Sequence, residues 1–216
     1  MIEAIRFFRV VPPVPSLMTT TFIVVTSAAV AAILVDAAHA RGTLTAVLVL
    51  QSFACSSGFA GHARRGHYDL LLTRGERRST IAGAHWLMSS LPGIASWIAI
   101  SAAEALATGA PGVGFTSGTT AAVATVSMVA WAATVPLPRF AAAIGWLVTV
   151  VMGIEVVAAD AIPPLVSAVL YPPGLIGASV GGIPIQVGSA LTVALGSIVI
   201  ALIWVERNDI RLEAAQ

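Results

Sequence analysis

The sequence predicts an all-α integral membrane protein with six transmembrane helices. Hydrophobic residues make up 57% of the 216-residue chain, whereas charged residues make up only 10%. Soluble domains carry about 25% charged residues, so this composition is typical of a protein that lies in a bilayer. A transmembrane helix needs about 20 apolar residues, and a chain of this length therefore has room for about six such helices with short loops. We expect a single transmembrane domain over residues 1–216, without a catalytic site of its own.

Six apolar stretches, each bounded by charges or by Pro and Gly, are the predicted spans. They cover residues 14–35, 43–60, 80–107, 117–135, 140–159 and 187–205. The fifth stretch reaches spanning length only if Glu155 lies inside it, and Pro92-Gly93 inside the third predicts a kink or a break of that helix. A transmembrane β-barrel would require polar and apolar residues that alternate with a period of two. The sequence has no regular alternation of this kind, so helices are favoured.

Arginine placement predicts the orientation, because positive residues concentrate in cytoplasmic loops. All eleven basic residues are Arg, and ten of them fall on one side of the six-span arrangement, with only Arg41 on the other. Both termini are therefore expected in the cytoplasm. The absence of Lys and the abundance of Ala are typical of GC-rich coding, and we expect a multi-pass protein of the bacterial cytoplasmic (inner) membrane.

Residues 1–11 predict an N-terminal amphipathic interfacial helix on the cytoplasmic surface of the membrane. Ile2, Ile5 and Phe8 recur at helical spacing, the charged residues lie on the other side, and prolines follow at positions 12, 13 and 15. A frayed tail is the alternative interpretation.

Residues 161–186 are uncharged but rich in Pro and Gly. A continuous lipid-facing helix with this composition would leave backbone groups unsatisfied in hydrocarbon. We predict a re-entrant outer segment between spans 5 and 6. A true span, which would move the C-terminus to the outside, is the alternative.

The connection between the second and third spans is the longest charged stretch of the chain. It carries five Arg together with Leu70, Leu71 and Leu72. An electrostatic anchor on anionic lipid would not need a Leu triplet, and a solvent-exposed loop would not keep one. We therefore predict a short amphipathic helix that offers apolar side chains, with Arg at its edges, to a partner protein.

The run Gly66-His-Tyr-Asp69-Leu-Leu-Leu-Thr73-Arg74-Gly75-Glu-Arg77-Arg78, followed at once by a membrane span, resembles the corresponding loop of type-2 ABC exporter permeases. Relatives in that family export drugs, lipids, peptides or polysaccharides. Members show Gly, two residues, an acidic residue, a Leu triplet, a small or polar residue, Pro and a nearby Arg. Gly75 stands where the family has Pro, and Gly also ends helices. The amphipathic N-terminal helix, the six spans and the Pro-rich outer segment are similar to the family's plan over the whole chain.

The resemblance implies the permease half of an ATP-driven exporter that moves a substrate across the cytoplasmic membrane. Two permease chains, identical or homologous, would pair, and each would dock through a cytoplasmic coupling helix between spans 2 and 3 onto a separate ABC ATPase subunit. By resemblance the docking residues are Gly66, Asp69, Leu70, Leu71, Leu72, Arg77 and Arg78, and their neighbours Arg65 and Arg74 are included as candidates.

ATP and Mg²⁺ would bind to the partner ATPase. A chain without Lys has no Walker A motif, and it is expected to hold no cofactor or metal. His62, His67 and Asp69 match no standard zinc spacing. His85, near the cytoplasmic end of the third span, is interpreted as an interfacial anchor. Membrane lipid is an expected partner, and nucleic acid is not.

Gln51 and Glu155 are the candidate residues of the substrate path. A carboxylate inside a span costs about 2.5–3.5 kcal/mol, so Glu155 should face protein or a water-filled path. Gln51 belongs to a polar strip on the second span, for which hydrogen bonding between helices is the alternative. In the family, spans two and five line the route between the two chains.

Three other functions are weighed against the exporter. A secondary transporter is expected to show internal repeats or a buried ion-coupling cluster, and the sequence has no convincing repeat. The haem-exporter permease of cytochrome c maturation is similar only over Ala84-His-Trp-Leu and Leu91-Pro. An intramembrane serine protease is least favoured, because Ser117 has no His after it in the chain.

Overall fold

The computed structural model describes ten segments of the chain, and every regular element within them is helical. The segments are residues 1–35, 49–51, 54, 62–63, 65–109, 120–136, 140, 143–148, 150–151 and 183–208. The helices are α1 (Ile2–Val10), α2 (Ser16–Val35), α3 (His67–Thr73), α4 (Arg78–Thr108), α5 (Thr120–Thr134) and α6 (Ile183–Arg207). The all-α class is therefore confirmed for these residues. Most of the predicted spans 43–60 and 140–159, and most of the segment 161–186, lie outside them.

Three helices are long and apolar enough to cross a membrane by length and composition. They cover Ser16–Val35, Arg78–Ala107 and Gly188–Arg207, which coincide with the first, third and sixth predicted spans. Helix α5 coincides with the fourth and is apolar, but its 15 residues reach only about 22 Å at 1.5 Å per residue. The protein is thus associated with a membrane through at least these apolar helices.

Helix α4 continues through Pro92 without a break, so of the predicted kink or break the break is wrong. Membrane helices tolerate Pro because neighbouring groups satisfy the backbone that it frees. The helix ends at Gly109, whose φ of 67° is left-handed and whose N–H donates to the carbonyl of Ala105 at 3.1 Å. Glycine adopts this conformation without strain, and it commonly ends helices in this way.

Small residues pack α5 against α6. Ala130 of α5 and Ala190 and Ala194 of α6 are buried, and the hydroxyl of Thr125 donates to the Ala190 carbonyl at 3.1 Å. Inside a bilayer, lipid tails are as apolar as Leu, so helices associate through close van der Waals packing and hydrogen bonds between helices. Alanines that let two backbones approach are therefore the expected contact residues.

A larger core lies where one end of the bundle meets the N-terminal helix, and we call it the basal core. Its buried residues are Ala4, Phe8, Tyr68, Leu71, Ile81, Ala82, Ala84, Trp131, Val135, Ala201 and Val205. It joins α1 and α3 to the start of α4 and to the ends of α5 and α6. The elements that carry the candidate docking residues are therefore fixed to the membrane helices through this core.

Helix α1 forms as predicted, but its buried face only partly matches the predicted one, since Ile5 and Phe8 pack on the basal core and Ile2 does not. Ala4 and Phe8 are buried in the basal core, whereas Ile2 is 69% exposed. Ala4 and Phe8 are four residues apart and therefore lie on the same face of the helix. This face packs against the rest of the protein. The sequence pattern marked the apolar residues correctly, but it could not show that α4 rather than lipid lies under them.

Phe8→Ala is expected to lower the free energy of unfolding by about 3–5 kcal/mol, because it leaves a cavity in the basal core. Thermal and denaturant unfolding of the purified chain in detergent measures the change. Ile2→Ala, on the exposed side of the same helix, is the control and should change stability by less than about 0.5 kcal/mol. Equal effects of the two substitutions would contradict the packing of α1 described here.

Candidate functional site

Helix α3 lies between two glycines that both adopt left-handed backbone conformations. Gly66, with φ of 68°, precedes the helix, and its carbonyl accepts a hydrogen bond from the Asp69 N–H at 3.1 Å. Gly75, with φ of 80°, follows it and donates to the Leu72 carbonyl at 3.0 Å. Gly75 is therefore compatible with a sharp end to the helix. Asp69 lies in the first turn, where a carboxylate complements the helix dipole.

The Leu triplet divides between the interior and the surface. Leu71 is 1% exposed and packs in the basal core, Leu72 is half-buried against the same core, and Leu70 is 49% exposed. Successive residues of a helix point about 100° apart, so three adjacent Leu cannot all face a partner. Leu70 is the apolar side chain that α3 offers to solvent.

The exposed face of α3, which we call the docking face, combines Leu70 with polar and charged neighbours. Asp69, Thr73 and Arg74 are exposed beside it. Arg65 before the helix and Arg77 after it are exposed as well. Leu70 is therefore an exposed apolar side chain with arginines around it, whereas Leu71, which the resemblance also implied for docking, faces the basal core.

Arg78 has a structural role that the sequence did not indicate. Its guanidinium donates to the backbone carbonyl of Asn208 at 3.2 Å, just beyond α6. The next residue, Ser79, donates its backbone N–H to the Glu206 carboxylate at 2.9 Å. Both contacts join the start of α4 to the end of α6, so Arg78 braces the bundle below the docking face.

Aromatic and imidazole rings surround Phe8 beneath α3. The ring centroids of His85, His62 and Tyr68 lie 5.4, 6.0 and 6.3 Å from that of Phe8. His85 is fully buried, so its interpretation as an interfacial anchor is wrong: the ring packs against α1 rather than the headgroup region. Burial also raises the pKa of the Tyr68 phenol well above its ordinary value, which keeps it neutral.

His62 and His67 form a direct hydrogen bond within the connection between the second and third predicted spans, which we call the hairpin. The Nδ1 atoms of His62 and His67 lie 2.7 Å apart, and burial lowers the pKa of His62, with the neighbouring His67 as the next cause. The sequence spacing of His62, His67 and His85 does not predict this cluster, because the three rings come together only in the folded chain. Within the described residues, no group of three His, Cys, Asp or Glu side chains could hold a metal.

Gln51 lies inside the helix bundle. Its side chain is buried and packs on Gly93 of α4, and its Nε2 lies 3.5 Å from the Ser127 hydroxyl of α5. Its Oε1 atom has no hydrogen-bond partner among the described residues. In a single chain Gln51 therefore links helices, as the alternative interpretation holds. Glu155, the other path candidate, lies outside the described residues.

A groove of about 470 Å³ runs between α2 and α4 at the level of Pro92. Phe22, Ile23 and Thr26 line it from α2, and Pro92 and Ser96 line it from α4. The Thr26 hydroxyl donates to its own helix, to the Phe22 carbonyl at 2.6 Å. Thr19 and Ser27 of α2 also line the groove, and the Thr19 hydroxyl donates to the Pro15 carbonyl at 3.4 Å.

Comparison of the chain with protein-family models, with curated proteins and with solved structures found no match to any of them. The functional assignment therefore depends on the residues and geometry of the chain itself.

Gly93→Ala is expected to destabilise the chain by about 1–3 kcal/mol, because the new Cβ would lie 2.4 Å from Cδ of Gln51. Unfolding in detergent measures the loss, and a Gln51→Ala background should remove most of it. Gly83→Ala, in the same helix, is the control because a Cβ there meets nothing within 4 Å; it should be neutral or stabilise by up to about 1 kcal/mol. Equal losses with and without Gln51 would contradict this contact.

Proposed function

We propose that the chain is the permease half of an ATP-driven exporter in the bacterial cytoplasmic membrane, energised by a separate ABC ATPase subunit. The observation that carries this proposal is the docking face: Leu70 is exposed beside Arg74 on a short helix that is fixed to a membrane-spanning helix. This face holds an apolar side chain and several arginines outward on a base that is joined to the membrane helices. It is suited to a partner protein that pushes on it.

The support beneath α3 favours transmission of force. Tyr68 and Leu71 are buried with Ile81 and Ala84 of α4 in the basal core. Residues 74–77 connect the two helices directly. A displacement of α3 by a partner would therefore move the start of α4 rather than an independent loop. In a two-state exporter, ATP acts through its different affinities for the two conformations of the assembly.

The charges around Leu70 indicate the kind of surface that would receive it. Arg65, Arg74 and Arg77 are exposed at the edges, beside the exposed carboxylate of Asp69. We expect the ATPase to present an apolar pocket rimmed by carboxylates. Arginine suits such contacts because its planar guanidinium binds a carboxylate through two parallel hydrogen bonds. ATP and Mg²⁺ would remain on that subunit.

The basal core supports the proposed six spans. It holds the start of α4 and the ends of α5 and α6 together with α1, so these ends lie on one side of the membrane. The connections 36–77 and 137–182 must then each cross an odd number of times. At about 20 residues per crossing, neither connection has room for three. We therefore propose one crossing in each connection, over residues 43–60 and 140–159. This favours a re-entrant segment over a membrane span for residues 161–186. Both termini would then lie in the cytoplasm.

The substrate path is proposed to form between this chain and a second permease chain, identical or homologous. Gln51 and Glu155 are the path residues that the resemblance indicates. Gln51 is buried in the single chain, so it would reach the path only if the helices around Gly93 rearrange during transport. Membrane lipid would contact the exposed apolar side chains of α2 and α6.

Leu70→Asp is expected to reduce recovery of the ATPase with the tagged chain by about tenfold or more, because it places a carboxylate at the centre of the docking face. The measurement is quantitative copurification from the native membrane, with ATPase activity of the recovered complex. Val10→Asp is the matched control, since Val10 is 82% exposed on a short helix next to the same basal core. That variant should recover the ATPase as the wild-type chain does.

Two results would contradict the proposal. One is a wild-type chain that copurifies with no nucleotide-hydrolysing subunit. The other is equal recovery of the ATPase with the Leu70 and Val10 variants. Circular dichroism and membrane insertion of both variants should match wild type, since both positions are exposed.

A further inference from the structure

The hydrogen bond between His62 and His67 can hold only one proton between its two nitrogen atoms. Its two ends are both Nδ1 atoms, 2.7 Å apart. A neutral imidazole carries one N–H, and a charged one carries two. The bond therefore exists when the pair is neutral, with one ring donating and the other accepting. It also exists when the pair holds one extra proton. When both rings are charged, each Nδ1 carries a hydrogen and neither can accept.

The pair forms part of the surface on which α1 packs. The His62 ring lies 6.0 Å from Phe8 between centroids, and the His67 ring lies 6.3 Å from Phe7. The two imidazoles themselves are 4.9 Å apart. Separating them would move the rings that contact the two phenylalanines of α1. The contact between α1 and the hairpin is therefore coupled to the protons on this pair.

We propose that the His62–His67 pair is an acid-sensitive latch that holds α1 against the hairpin. With at most one extra proton the rings share their hydrogen bond and Phe7 and Phe8 stay packed. A second extra proton replaces the bond by two facing N–H groups and two like charges. The rings then separate, and α1 leaves the basal core.

The groups around the pair oppose the doubly charged state. His85 faces His62 from α4 at 5.5 Å between centroids, and Tyr68 faces it from α3 at 6.4 Å. Arg65, in the turn before α3, adds a positive charge. From α1 the pair meets the rings of Phe7 and Phe8. The charged side chains of that helix, Glu3, Arg6 and Arg9, are all exposed.

The direction of the pH dependence follows from the position of the pair. Burial lowers the pKa of His62, His67 lowers it further, the Pro12 carbonyl opposes the shift, and Arg65 adds to it. A histidine whose pKa is lower in the packed state takes up a proton when α1 is released. The packing of α1 against the hairpin is thus at full strength above about pH 6.5, the ordinary pKa of histidine. This packing weakens as the pH falls through the lowered pKa of His62.

The release of α1 does not require the exporter assignment, since it concerns contacts within one chain. It is measured by hydrogen exchange of residues 2–10 in the full chain in lipid nanodiscs, corrected for the intrinsic pH dependence of exchange. Between pH 7.5 and 5.0, protection of these amides should fall by about tenfold or more. The amides of α2 should show no such change in protection, and they serve as the internal reference.

Two substitutions at one position test the role of the protons. In His67→Asn the side-chain amide replaces Nδ1 and can donate or accept, so α1 should stay protected at both pH values. In His67→Arg a permanent charge faces His62, so protection should be low already at pH 7.5. His39→Asn, which removes a histidine outside the described residues, is the matched control and should keep the wild-type response.

Protection that does not change with pH in the wild-type chain would overturn the latch, and so would a wild-type pH response in His67→Asn. A measurement without substitutions covers the case in which a variant does not fold. Nitrogen chemical shifts of ¹⁵N-labelled histidine should show the His62 ring titrating below its ordinary value of about pH 6.5. A His62 titration at the ordinary value would also overturn the latch. Loss of the ATPase contact with an intact pH response would contradict the exporter alone.

Discussion

The burial of Phe8 is the contact on which the arrangement of the hairpin depends. Phe8 is fully buried and contacts His85 of α4 and Tyr68 of α3. Within the bilayer the hydrophobic effect gives little drive for helices to associate, because lipid is as apolar as the side chains. At the end of the bundle, water is the competing environment, and burying an aromatic ring is strongly favourable there. This explains why the aromatic rings of Phe8, Tyr68 and Trp131 are buried in the basal core, whereas alanines and a Thr hydroxyl join α5 to α6 elsewhere.

A large part of the fold followed from the sequence, because the bilayer leaves few choices. Spans must be long, apolar and helical, and three of the predicted stretches coincide with helices long enough to cross. A short helix in the hairpin follows from its Leu triplet and arginines, and α3 (His67–Thr73) lies there. What could not be predicted was the direction of each side chain. Leu70 and Leu71 are the same residue type and are adjacent in sequence. Which of them is exposed is decided by the positions of α1 and α4.

The histidines illustrate the same limit. The sequence presents His62 and His67 only as metal ligands with unsuitable spacing, and His85 only as an interfacial residue. Their contacts cross from the hairpin to α4 and to α1, over sequence separations that no local pattern records. A buried imidazole is less common than a buried apolar residue, so a high density of histidine near a span end could have indicated a polar cluster. It could not have indicated a direct bond between two Nδ1 atoms.

Helix α3 has only seven residues, and an isolated helix of that length is unstable in water because nucleation costs more than its few hydrogen bonds return. Its shape therefore depends on tertiary packing of Tyr68 and Leu71. That packing is shared with Phe8 of α1, so the N-terminal helix stabilises the docking face without contributing a residue to it. Any change that removes α1 from the basal core would leave Leu70 and Arg74 on a helix with weakened support. The docking face and the histidine pair are thus linked physically: one is the surface of α3 and the other lies beneath it, and the same ring of α1 holds both in place.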